Sequence, residues 1–110
     1  MVFGTERMKY LEENWSKIAS LVLNEARKFA DVKEVIVYGS VVKGDTMGSS
    51  DLDIALIVRN LDLTHLRDLL LKVYFSLPDE VSQILDLNII EERDENELLR
   101  FAGKYVIVKS

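Results

Sequence analysis

Asp51 and Asp53 bracket a leucine at the mouth of the apolar run DLDIALIV, and Gly39-Ser40 closes an earlier run, EVIVYGS. In a strand, residues two apart share a face, with Cα atoms about 6.6 Å apart. Two carboxylates so placed repel unless a positive charge lies between them. A hard divalent cation takes such oxygens, and Mg²⁺ favours one or two protein carboxylates together with substrate phosphates. Gly39 lets the backbone approach a ligand closely. Ser40 opens a helical turn expected at 40–43, where free N–H groups favour anions. Lys43, one turn on, adds a mobile point charge. Phosphate donors at one strand's exit and metal ligands at the next strand's entry make two halves of a cleft for a metal–nucleotide.

The elements that must hold these halves are legible in the periodicity. Met8, Leu11, Trp15, Ile18, Val22, Ala26 and Phe29 step by three or four, which predicts a helix over 5–30 with Thr5 as its N-cap. The β-branched run 34–38 predicts a buried strand, and 51–58 a second. Asp62 reads as the N-cap of a helix whose stripe is Leu66, Leu69, Leu70, Val73 and Leu77, stopped by Pro78. Residues 81–90 read as a third strand, 95–102 as a short helix capped by Gly103, and 105–108 as a final edge strand. The connection between the first two strands is short for a parallel crossover, so they are expected antiparallel. The fold class is then α+β: a mixed sheet with helices packed on one face.

The 110 residues suit a single domain, 1–110. No apolar run reaches the length of a membrane span, and the N-terminus is too charged for a secretory signal. The chain has no cysteine, which excludes disulfides and thiolate metal sites. A cytoplasmic location is the default. The net charge of −5 comes without a basic stripe, so long nucleic acid is not expected to be held by this chain alone. The acidic run Glu91, Glu92, Asp94, Glu95 and Glu97 reads as a solvated loop and helix start, and the lone His65 as a solvated residue.

Gly-Ser, ten intervening residues, then Asp-x-Asp, with strands on both sides, is far more specific than either piece alone. The stretch 35–58 resembles the signature of the minimal nucleotidyltransferases of the DNA-polymerase-β-like superfamily, and Gly44, Asp45 and Ser50 look like that family's usual loop. The resemblance implies a polymerase-β-like nucleotidyltransferase fold. It assigns nucleotide binding to Gly39 and Ser40, with Lys43 beside them, and divalent metal to Asp51 and Asp53. The implied reaction is in-line attack on the α-phosphate of a nucleoside triphosphate, with Mg²⁺ in a two-metal site and ATP as substrate.

A third carboxylate on a later strand completes the family's site as metal ligand and base. Two alignments compete for it. Matching an apolar-Asp-apolar pattern makes Asp86 the third ligand. Matching Asp86-Leu87-Asn88 to the second of two aspartates three apart puts neutral Gln83 there instead. Gln83 and Asp86 would face opposite sides of a regular strand, so only one can serve. Val41 departs from the family, which often carries a basic residue there.

One small domain leaves the acceptor to be small or presented by another protein. The leading expectation is transfer of AMP to a hydroxyl of a helical HEPN-type toxin, with this chain as antitoxin. The alternative is a catalytically weak nucleotide-binding module that neutralises its partner by contact. Transfer to a small molecule such as an aminoglycoside ranks last. An exposed sheet face or edge would suit a homodimer.

Overall fold

The computed structural model describes residues 4–43 and 52–109. In chain order these form α1 (Gly4–Ala26), β1 (Val32–Tyr38), α2 (Ser40–Lys43), β2 (Leu52–Val58), α3 (Leu66–Ser76), α4 (Asp79–Ser82), β3 (Leu85–Glu91), α5 (Glu95–Ala102) and β4 (Tyr105–Val108). Short 3₁₀ turns at Leu63–His65 and Glu92–Asp94 lead into α3 and α5. The four strands make one sheet in the order β3-β2-β1-β4. β1 is antiparallel to β2 and to β4, whereas β2 and β3 are parallel. The mixed α+β sheet expected from the sequence is the fold, but its helices do not all pack on one face: α5 lies against the face opposite α1 and α3. The antiparallel β1–β2 pair follows from its short connection, and the parallel β2–β3 pair from a crossover long enough to hold α3 and α4.

Apolar side chains choose the layers. Ile18, Ala19, Val22, Leu23 and Ala26 of α1, with Val73 of α3, bury against Val35, Val37, Leu52, Ile54, Leu56, Leu85 and Leu87. Each of the Val, Leu and Ile side chains among them contributes on the order of 1.5–3 kcal/mol when fully buried. The opposite face has a smaller cluster, Ile36, Ala55 and Ile57, covered by Leu98 and Leu99 of α5. That cover spans only part of the face. Arg27, just past α1, ties three loose ends together: its Nε donates to Val32 O at 3.2 Å and its Nη2 to Lys33 O and Lys109 O. Among the described residues, no helix is long and apolar enough to cross a membrane.

Further expectations are corrected. The third strand begins at Leu85, not at residue 81. Pro78 directly precedes α4, and Asp79 and Glu80 occupy its first turn, where a helix favours proline and negative charge. Val81 and Ile84 are buried at helical spacing rather than along a strand. The first helix ends at Ala26, so Phe29 lies beyond it and is 43% exposed instead of packed in the core. Gly4 already belongs to that helix, which places Thr5 within it rather than at the cap. Asp62 caps the 3₁₀ turn Leu63–His65 that leads into α3 rather than α3 itself, whose N-cap position is His65: the Asp62 carboxylate accepts from Thr64 N at 3.0 Å and meets His65 Nδ1 at 2.7 Å. That ring and the Thr64 N–H hold the Asp62 carboxyl below its usual value.

Candidate active site

Sheet register assembles the site. Asp86 on β3 pairs with Asp53 on β2, which pairs with Tyr38 on β1, which pairs with Tyr105 on β4. These four form one row across the sheet. The next row is Asn88, Ala55, Ile36 and Ile107, and Ile90, Ile57 and Glu34 follow. Side chains in register share a face. All these residues therefore stand on the face opposite α1, where α5 covers the lower rows and leaves the first row open. Neighbouring strands lie about 4.8 Å apart, so the Asp53 and Asp86 carboxyl groups stand side by side. Asp86 is exposed and Asp53 half-buried.

The two registers for the third carboxylate have different outcomes in the chain. Gln83 is not on a strand; it follows α4, and its N–H closes that turn on Asp79 O at 3.0 Å. The next residue then aligns the sheet, because Ile84 O accepts from Leu52 N at 2.7 Å. Asp86 follows as the second residue of β3, directly beside Asp53.

Gly39 ends β1 with φ +83°, a conformation that side chains other than glycine's rarely adopt. A Cβ built there would collide with the Asp53 carboxylate and come within 3.0 Å of its Cγ. Glycine at 39 thus meets two demands, the turn from β1 into α2 and the space taken by Asp53. α2 begins at Ser40 and ends at Lys43. In so short a helix the first N–H groups have no partner within it. Val41 is 8% exposed and belongs to the main core, so the position that is often basic in relatives supplies packing here. Asp51, and the side chains of Ser40 and Lys43, lie outside the described residues, as does the loop carrying Gly44, Asp45 and Ser50. Among the described residues, no group of three or more His, Asp or Glu is placed to hold a metal. Asp53 and Asp86 are the described pair that could share one.

Two features escape the sequence reading. Asn88 Nδ2 donates to Tyr38 Oη at 3.0 Å, a contact across 50 residues of chain. Burial raises the Tyr38 hydroxyl pKa, the Asn88 hydrogen bond opposes this, and the Asp53 and Asp86 charges raise it further. Tyr74 on α3 reaches the free edge of β3, where its hydroxyl donates to Leu85 O at 3.1 Å and accepts from Leu87 N at 2.9 Å. No local pattern in the sequence marks either partner. A cavity of about 310 Å³ lies at the far end of β2, lined in part by Phe29, Arg59, His65 and Lys72, and contains none of the row-one residues.

Comparison with known proteins gives a consistent picture. The family described as polymerase beta, nucleotidyltransferase matches residues 17–107. The fold is similar to the crystal structure of a proposed nucleotidyltransferase from Sulfolobus solfataricus, with a TM-score of 0.61 and 19% identity, covering 94% of this chain and 84% of that one. No curated protein matches the chain significantly.

Proposed function

The chain belongs to the polymerase beta nucleotidyltransferase family, and on that premise we propose that it moves a nucleoside monophosphate, AMP from ATP, onto a hydroxyl of a partner protein in a Mg²⁺-dependent reaction. The observation that carries this reading is the in-register pair Asp53 and Asp86 on the open half of the sheet face. Their donor chemistry fits the ion: hard carboxylate oxygens on neighbouring strands, beside a backbone that Gly39 brings close. Asp51, Asp53 and Asp86 would hold Mg²⁺, while Gly39, Ser40 and Lys43 would take the triphosphate. Bound there, the ion supplies positive charge over the phosphates and lowers the cost of charge on the attacking and leaving oxygens.

The chain's own groups orient and accept a proton. The acceptor hydroxyl oxygen bonds to the α-phosphorus as the bond to the pyrophosphate oxygen breaks in line. The hydroxyl proton passes to Asp86, the exposed member of the pair. Tyr105 and Ile107, 37% and 38% exposed, extend the same open face toward the β4 edge, which leaves room for a protein acceptor. In this reading the partner is a HEPN-type toxin, the chain is its antitoxin, and both act in the cytoplasm. A contact-only module is disfavoured because Asp86 shares a face with Asp53 rather than turning away. The test is to mix chain, partner, Mg²⁺ and ATP labelled at the α-phosphate. Label should reach the partner, and Asp53→Asn and Asp86→Asn should each reduce it to background. Undiminished labelling by Asp53→Asn would refute the mechanism.

A further inference from the structure

Asp86 occupies an awkward place for a precise ligand. It is the second residue of an edge strand, and strand ends at an edge open more easily than interior ones. Its neighbours are nevertheless held. Tyr74 bonds the backbone of Leu85 and Leu87 on either side of it, from the helix-covered face. On the site face, Asn88 is held by the Tyr38 hydroxyl.

The Tyr38–Asn88 bond crosses a whole strand. Tyr38 starts in the first row on β1, and Asn88 stands in the second row on β3, with β2 between them. The strand that must be crossed offers Asp53 and Ala55 on this face. Ala55 is fully buried, and Tyr38 packs against its cluster. A larger side chain at 55 would fill the path of the ring. Tyr38 pairs in register with Asp53, and the next residue, Gly39, lies so close to the Asp53 carboxylate that a Cβ there would collide with it. One phenol thus bounds Asp53 and, through Asn88, ties the strand of Asp86 to the strand of Gly39.

We propose that Tyr38 and Asn88 are positioning residues, a side-chain clamp across β2 that sets the Asp53–Asp86 pair for a divalent cation. The inference rests on the reading of that pair as a metal site. Neither residue is assigned to touch the ion. Partners of this kind, which orient the ligands of a metal, typically change its affinity 10–100-fold when removed.

The experiment titrates Mn²⁺, as a probe ion, into the full chain without nucleotide, by calorimetry or by the loss of free-ion paramagnetic signal. Tyr38→Phe keeps the ring and removes the hydroxyl; Asn88→Ala removes the same bond from the other side. Each should weaken Mn²⁺ binding about 10-fold. The metal-free melting midpoint should move by only a few degrees, because the bond is solvent-exposed. The double variant should be no weaker than either single one, because both remove one interaction. Unchanged Mn²⁺ affinity in Tyr38→Phe overturns the clamp and leaves the metal site standing. Fully additive losses in the double variant overturn it too. Failure of the unaltered chain to bind Mn²⁺ overturns the metal reading itself, and the clamp with it.

Discussion

Gly39 is where the backbone and the chemistry compete for the same space. Its φ of +83° costs any L side chain roughly 1–2 kcal/mol. The added methyl of Gly39→Ala would also press on the Asp53 carboxylate. Both effects act in the same direction. Gly39→Ala should lower the urea midpoint and abolish label transfer, whereas an alanine at exposed Gly103, where a Cβ meets nothing within 4 Å, should cost only the backbone strain. Equal activity in the two variants would show that Asp53 does not need the space. At this scale the sequence was most informative where the chemistry is local: Gly39 and Asp53 lie in one stretch of apolar runs and turns. It was least informative for Asp86. Its register depends on where β3 starts, and a four-residue helix, α4, precedes that start. One turn is too short for periodicity to separate from a strand. Tyr38 and Asn88 could not be linked, because their pairing exists only once three strands are aligned.

α5 is held on the site face by Leu98 and Leu99 and by a buried charged group that the strand pattern concealed. Glu34, inside the β-branched run of β1, is 2% exposed, and Glu95 at the start of α5 is 7% exposed. Lys33 Nζ lies 2.8 Å from Glu95 Oε1. Burial, and then a hydrogen bond to Glu95, raise the Glu34 carboxyl above the usual value. Burial also works to raise Glu95, but the bonds from Glu34 and Lys33 outweigh it and lower its pKa. A proton shared by the pair is therefore favoured on Glu34 over Glu95. The raised group stabilises fully below the ordinary glutamate pKa, and that contribution fades as pH climbs through the raised value. The lowered group stabilises above the ordinary pKa and fades as pH falls through the lowered value. Stability from the pair peaks between the two. Glu34→Gln keeps a donor toward Glu95 and removes the titrating proton. Its melting midpoint should fall less than that of the unaltered chain when pH is raised from about 5 to about 8. Parallel pH profiles would show that Glu34 is not protonated in the fold.

Across the whole molecule, topology and charge act together. Antiparallel β1 against β2, and parallel β3 beside β2, bring the exit of β1 and the entries of β2 and β3 to one end of the sheet. The proposed phosphate half and carboxylate half of the site would meet there because of strand direction. That end gathers acidic side chains in a chain of net charge −5, so a free triphosphate is repelled by both the local carboxylates and the overall field. A divalent ion reverses the local sign. The chain should then be stabilised by ATP only when Mg²⁺ is present, and by Mg²⁺ alone far less than by the two together. By mass action, ligand at a hundred times its dissociation constant stabilises the fold by about 2.7 kcal/mol, several degrees in a domain of this size. Melting curves with ATP, with Mg²⁺, with both, and with both on Asp53→Asn measure this directly. A shift with ATP alone would mean that the phosphates are held by the protein's own cations. A full shift surviving in Asp53→Asn would place the nucleotide away from the row of Asp86, Asp53 and Tyr38.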